Sequence, residues 1–202
     1  MKTMKVTWTG IRPLVMSNPQ TVKLSNPYAI RSRELNAALK KARKKEDADK
    51  LLELEQLQIR NDWESSAYWD EKQKKFYIPD SVIIACIRAG ATAVKKGRDV
   101  DRAVLMSETE AYIQTQSVKS LDDGFKNPAF RLECPCKVPP KTGALIWKAR
   151  CMIPTGWKVT FTLEYDEEIF AEKTLVTAME SSGRTGVGGW RGKFGRFLVE
   201  AQ

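Results

Sequence analysis

The chain has 202 residues, of which 42% are hydrophobic, and this composition suits one globular domain that carries an insertion, which we favour, or two very small domains. It has 34 lysines and arginines, 25 acidic residues, a formal net charge of +9 and no histidine. The missing histidine excludes Ser-His-Asp and Cys-His catalysis and nearly all mixed Cys/His zinc sites, whereas the charge fits either a polyanionic partner or an inert basic surface.

The first part of the chain predicts a strand followed by a long helical insertion. Met4, Val6 and Trp8 alternate with polar residues, which indicates a strand over 4–9, and a bend or bulge follows between Gly10 and Pro13. Residues 31–69 are charged, and their leucine spacing is typical of helices. The basic run within this insertion predicts a solvated helix face or a turn between two helices.

The middle of the chain predicts one buried helix and one irregular segment. Residues 79–94 are apolar on almost every side, and Pro79 and Asp80 mark the start of the helix. Residues 100–143 are rich in turn formers, so we expect an irregular surface insertion there.

The last third of the chain predicts a hairpin, a helix and a final strand. Residues 145–153 and 156–165 alternate in polarity on either side of a Pro-Thr-Gly turn, which is typical of a β-hairpin. Asp166 has the chemistry of a helix cap, Gly183 that of a helix stop, and residues 195–200 form the last strand.

These elements together predict one α+β domain over residues 1–202, with insertions at 31–69 and 100–143. Without the insertions the order is βαββαβ, the ferredoxin-like or RRM-like plan, with a four-stranded antiparallel sheet and helices on one face.

A glycine-rich basic segment, "GRTGVGGWRGKFGRF" at 183–197, precedes the last strand. It matches neither the dinucleotide nor the P-loop glycine motif, because the register fails and a strand follows instead of a helix. A mobile connector and a phosphate-binding clamp remain open. We favour the clamp, since glycines let amides approach phosphates, cations neutralise them and an aromatic ring stacks on a base. The predicted contact residues are Arg184, Gly186, Gly188, Gly189, Trp190, Arg191, Lys193 and Arg196.

Two segments resemble the RAMP superfamily, the RNA-binding proteins of CRISPR effector complexes. "TGVGGWRGKFGRFLVE" resembles the family's glycine-rich terminal loop and strand, and "YIPDSVIIACIRAGA" at 77–91 resembles its Ile-Pro-x-Ser-(x)n-Arg segment. This resemblance implies that Ser81 and Arg88 help to seat an RNA backbone; Asp80 stands where the family usually has glycine.

The chain also resembles short proteins encoded by bacteriophages and prophages. Those proteins share an opening like "VTWTGIRPLVM", a following "NPY" and an ending "GDWRPxFGRFEV", in which Gly189 and Gly192 here replace Asp and Pro. The resemblance implies a phage-encoded relative of the CRISPR backbone subunit, a protein that polymerises along guide RNA.

The resulting hypothesis is a non-catalytic protein that binds single-stranded RNA or DNA, assembles as a homo-oligomer and needs no cofactor. We expect it in the cytoplasm of a bacterial host, because no apolar run is long enough to span a membrane and four cysteines are too few for a disulfide framework. The pair Cys134 and Cys136 lacks the further ligands that a zinc site requires.

Three alternatives stay open at this point. They are a decoy that binds host CRISPR proteins, an accessory protein for single-stranded DNA recombination, and a metal-independent ribonuclease that uses lysine or tyrosine.

Overall fold

The computed structural model describes residues 1–137 and 145–202, and in that part the fold is α+β, as the sequence predicts. The strands are β1 (Lys2–Gly10), β2 (Leu14–Val15), β3 (Trp69–Asp70), β4 (Lys75–Pro79), β5 (Val104–Met106), β6 (Glu110–Gln114), β7 (Arg131–Lys137), β8 (Leu145–Ile153), β9 (Lys158–Tyr165) and β10 (Phe197–Ala201). The helices are α1 (Pro27–Lys44), α2 (Ala48–Ser66), α3 (Asp80–Ala91), α4 (Val100–Ala103), α5 (Leu121–Lys126) and α6 (Glu172–Thr185).

The chain divides into two compact units. The first contains Met1–Val15, Tyr68–Lys119 and Ile153–Gln202, and the second contains Met16–Ala67 and Ser120–Met152. In the described part of both units, no helix has the length and apolar character needed to cross a bilayer.

The first unit is built on an antiparallel sheet with the strand order β10-β1-β9-β6-β4-β3, and β5 also pairs with β9. β1 lies between β9 and β10, so that Trp8 is opposite both Val159 and Val199. Because side chains alternate along a strand, one face of this sheet is apolar and the other is polar. On the apolar face the ring of Trp8 stacks on Phe197 at 4.0 Å and meets the edge of Phe161 at 5.0 Å.

Helices α3 and α6 pack closely against each other in the first unit. Gly90 of α3 permits this approach, because a side chain there would meet the Ala178 carbonyl and Ser182 of α6. The Ser182 hydroxyl donates to the Cys86 carbonyl at 2.9 Å, so its buried polar group is satisfied across the helix interface.

The second unit contains a helical hairpin and a two-stranded antiparallel ladder. α1 and α2 bury a leucine cluster formed by Leu35, Leu39, Ala42 and Leu54. The basic run between them forms the end of α1 and the turn before α2, which confirms the helix-to-helix turn. β7 pairs with β8, and the buried Trp63 indole donates to the Phe130 carbonyl at 2.8 Å.

Two predicted elements differ from the structure. The expected hairpin of 145–153 with 156–165 does not form: β8 pairs with β7, whereas β9 pairs with β1, β5 and β6. Residues 100–143 are not an irregular insertion, because their described part contains α4, β5, β6, α5 and β7. Alternation predicts a strand correctly in the hairpin region, but it carries no information about which strand is its partner.

The last helix also differs at both ends. Asp166 does not cap it; its side chain accepts from the Glu168 amide in a separate turn, and α6 begins at Glu172. Gly183 lies inside α6 against the Phe197 carbonyl, and Gly186 with φ of 93° ends the helix.

Candidate nucleic-acid interface

The terminal loop, residues 186–196, connects α6 to β10 and folds tightly on itself. Val187 donates to the Gly195 carbonyl at 3.0 Å, and Gly192 donates to the Thr185 carbonyl at 2.7 Å. The loop is also tied to the segment after β1, since the Gly189 amide donates to Val15 at 2.8 Å and the Gly195 amide donates to Pro13 at 2.7 Å. It is therefore a folded element with fixed hydrogen bonds.

Most of the loop glycines serve this internal packing. Gly186, Gly188 and Gly195 all have positive φ, and a Cβ at each would press on backbone oxygens of Phe194, Val15 and Val187 respectively. Gly192 also has a positive φ, of 88°, but nothing lies within 4 Å of its Cβ position. The fold of the loop itself therefore requires glycine at most of these positions, whether or not a phosphate binds.

Some amides of the loop remain available for a ligand. Within residues 1–137 and 145–202, the amides of Gly188, Trp190, Arg191 and Lys193 donate to no backbone carbonyl. Fewer amides are therefore available to bind a phosphate than the sequence predicts. The amides of Gly186 and Gly189 donate to carbonyls of the protein, and the free amides lie around Trp190.

The four cations of this segment are exposed and free of carboxylates. Arg184, Arg191, Lys193 and Arg196 form no ion pair with any residue of the described chain. The ammonium of Lys193 lies 5.4 Å from the centre of the Phe194 ring. Unpaired cations on one short loop create a local positive potential that attracts a polyanion.

Arg12 is a fifth cation of this surface, and our sequence analysis missed it. Its amide donates to the Arg196 carbonyl at 3.2 Å, and its own carbonyl accepts from the Trp157 indole at 2.9 Å. The side chain is exposed and forms no ion pair within the described residues. Only the pairing of β1 with β10 brings Arg12 beside Arg196, and no sequence signal specifies that pairing.

Trp190 presents an aromatic surface among these cations. Its side chain is 43% exposed, its φ is 48°, and its ring is tilted at 6.2 Å from that of Phe194. An exposed indole between arginines provides a stacking face beside positive charge.

Ser81 and Arg88 occupy α3 and are not brought into the terminal loop. Arg88 forms an exposed ion pair with Asp101 at 2.8 Å, and the Ser81 amide donates to the Asp80 carboxylate. Asp80 therefore supplies an anion at this helix start, where the resemblance implies that Ser81 contacts a phosphate. No hydrogen bond or ion pair links either residue to the loop in the part of the chain that the structure describes.

Cys86 is the residue of α3 that reaches the terminal loop. Its thiol donates to the Gly186 carbonyl at 3.7 Å, and burial raises its pKa to about 12. A buried, protonated thiol is a packing group and not a metal ligand or nucleophile. The described residues hold no cluster of three or more His, Cys, Asp or Glu side chains placed to bind a metal ion, and the side chain of Cys136 lies outside the described residues.

Comparison with known proteins identifies a shared fold. No protein-family model matches the sequence, and no curated protein matches it. Among solved structures, a chain in the cryo-electron microscopy structure of the type III-B Cmr-beta bound to cognate target RNA is similar, with a TM-score of 0.55 and 13% sequence identity. The match covers 99% of this chain but 58% of that chain, so the present chain spans a little over half of its length. At 13% identity, this likeness shows that the two chains share a fold.

Proposed function

We propose that this protein binds the sugar-phosphate backbone of a single-stranded nucleic acid, RNA in the first place, at the terminal loop. The observation that carries the proposal is the set of exposed cations without carboxylate partners in the described chain, Arg184, Arg191, Lys193, Arg196 and Arg12. Cations that are not neutralised internally remain free to release counterions from phosphates. Trp190 and the free amides around it add a base-stacking face and hydrogen-bond donors.

The architecture supports a ferredoxin-like plan for the first unit. β1, α3, β6, β9, α6 and β10 occur in this order in the chain, with other elements inserted between them, and the sheet order β10-β1-β9-β6 is the one expected for βαββαβ. The sequence resemblance to the RAMP superfamily and the fold similarity to a chain of an RNA-bound assembly favour RNA over DNA. The separate resemblance to short phage and prophage proteins supports a phage-encoded origin for this chain.

We propose binding without cleavage. A tyrosine that acts as a base must lose its proton near neutral pH. The Tyr112 hydroxyl donates to Asp70 at 2.7 Å and to Glu110 at 3.1 Å, and these hydrogen bonds raise its pKa further above its usual value. RNA incubated with the protein is therefore expected to remain full length, as measured on a denaturing gel.

We further propose that several copies assemble along one strand, as the RAMP resemblance implies. Nucleic acid that co-purifies with the protein is then expected in regular length steps, each step corresponding to one subunit.

The binding proposal is tested by removing the loop charges. A variant with Arg184, Arg191, Lys193 and Arg196 all replaced by Ala should bind a single-stranded RNA oligonucleotide more weakly. The dependence of log K on log salt should flatten by about 0.7 for each phosphate that the variant no longer neutralises. Affinity is measured by fluorescence anisotropy at several salt concentrations.

A matched control removes the same charge elsewhere. Lys40, Lys41, Lys44 and Lys45 are exposed cations at the end of α1, and replacing all four by Ala changes the net charge equally. If the two variants lose affinity and salt dependence to the same extent, the nucleic acid is held by overall charge, and the terminal loop is not the site.

A further inference from the structure

A cleft of about 450 Å³ lies in the second unit between α1, α2 and β8. Leu39 and Ile59 give it an apolar wall, Ser32, Asn36 and Gln58 give it polar groups, and Trp147 lines its β8 side. Its volume is in the range of small-molecule sites, and its lining combines an apolar wall with a few convergent polar groups, as such sites do.

One polar group of this cleft is unsatisfied. Gln58 Oε1 is buried and has no hydrogen-bond partner among the described residues, whereas its Nε2 donates to Asp62 at 3.0 Å. A buried acceptor without a donor is costly, and native structures almost always pair such groups. Because Gln58 lines the cleft, a rotation of its side-chain amide would present this oxygen to a ligand that brings an N–H donor.

The Ser32 hydroxyl completes the polar side. Its oxygen accepts from Gln58 Nε2 at 3.4 Å and from Asn36 Nδ2 at 3.5 Å. Since both hydrogen bonds use the hydroxyl as an acceptor, its own proton is free to be donated to a ligand.

Trp147 supplies a flat aromatic surface that is held in place. Its side chain is 56% exposed, although a large apolar group of this kind is normally buried, and its indole N–H donates to Glu133 at 3.1 Å. The anchored ring therefore presents its surface without losing further rotamer freedom when a planar ligand stacks on it.

The two cations that line the cleft differ in how closely they pair with carboxylates. Lys148 is paired with Asp62 at 3.0 Å, but Arg43 lies 3.9 Å from Glu55, and both members of this second pair are largely exposed. Arg43 can therefore leave Glu55 and pair with a phosphate at a small cost in free energy.

We propose that this cleft binds one nucleotide whose base carries an exocyclic amino group. The base stacks on Trp147, its amino group donates to Gln58 Oε1, and Arg43 neutralises the phosphate. This site belongs to the second unit and does not depend on the function proposed for the terminal loop.

Two sources can provide this ligand, a free mononucleotide or one unstacked base of a bound single strand. Isothermal titration with mononucleotides measures the first. Titration with a cytidine oligonucleotide of about ten residues measures the second. If only the oligonucleotide binds, and its affinity depends on Trp147, the source is a strand.

The base preference gives a test on the unmodified protein. Cytidine 5′-monophosphate should bind more tightly than uridine 5′-monophosphate, and adenosine 5′-monophosphate more tightly than inosine 5′-monophosphate, each by roughly fivefold, because one hydrogen bond distinguishes the members of each pair. The same order holds for cytidine and uridine oligonucleotides if the source is a strand. Gln58→Leu should remove this preference.

Replacement of the stacking surface gives the second test. Trp147→Ala should weaken binding of the amino-bearing ligand at least fivefold. The proposal is overturned if Trp147→Ala has no effect on either ligand class, or if the amino and oxo bases bind equally. Neither result affects the charge test at the terminal loop, so the two proposals fail separately.

Discussion

Trp190 occupies a backbone conformation that bulky side chains rarely adopt, with φ of 48°. The left-handed region costs an L-residue roughly 1–2 kcal/mol, so the hydrogen bonds of the surrounding loop must maintain this conformation. Trp190→Ala is expected to weaken RNA binding about 5- to 100-fold through the absence of stacking, and Trp190→Phe to retain most of the affinity. Anisotropy titrations of both variants check this, and equal losses in the two would argue against stacking.

Alanine substitutions at two glycines of the terminal loop distinguish the free-energy cost of backbone strain from the cost of steric clash. Both Gly192 and Gly195 have positive φ, but only Gly195 lies against backbone, at Val187. Gly192→Ala should cost roughly 1–2 kcal/mol of unfolding free energy, and Gly195→Ala roughly 1–3 kcal/mol more. Urea denaturation measures both, and the interpretation of the loop as a packed element fails if the two variants are equally stable.

At the scale of elements, the packing of α3 on α6 depends on the small size of Gly90. In an exposed helix, replacing glycine by alanine stabilises by roughly 0.5–1 kcal/mol. Here the added methyl group would meet the Ala178 carbonyl and Ser182, so Gly90→Ala should destabilise by roughly 1–3 kcal/mol. A higher urea midpoint for Gly90→Ala than for the wild type would show that the helices do not approach this closely.

The thiol of Cys86 links the stability of this helix pair to alkaline pH. Its pKa rises from 9.0 to about 12 on folding, so the unfolded chain loses this proton first as the pH increases. The contribution to stability is complete below pH 9 and disappears as the pH approaches 12; at pH 10 roughly 1 kcal/mol is lost. Urea midpoints at pH 7.5 and 10 should therefore fall less in Cys86→Ala than in the wild type. An equal fall would mean that other groups account for the alkaline loss.

The sequence predicts individual elements better than their partners. Alternation locates β1 and β9, and the apolar run locates α3, because those patterns depend on one buried face. The alternating polarity of β8 and the turn residues 154–156 predict a hairpin between β8 and β9. In the structure, β8 pairs with β7 instead. The predicted start of α6 is wrong because Asp166 caps a short turn with the same chemistry that caps a helix.

For the whole molecule, the excess of positive charge predicts a basic surface, but it does not predict which residues form that surface. The cations of the terminal loop are evident from the local sequence of residues 183–197. Arg12, in contrast, becomes their neighbour only through the pairing of β1 with β10. The cleft beside Trp147 is not predicted at all, because β8, which carries Trp147, is far in the chain from α1 and α2, which supply the rest of its lining. Sites assembled from distant segments lack a local sequence signal.

The most direct test of binding at the terminal loop is to map where a bound strand touches the protein. Single-stranded RNA is bound to the wild-type protein at low salt and irradiated with ultraviolet light, and the adducts are located by mass spectrometry after trypsin digestion. We predict nucleotide adducts on the peptide that contains Trp190, residues 185–191. Saturable RNA binding with adducts only on other peptides would contradict a binding site at the terminal loop.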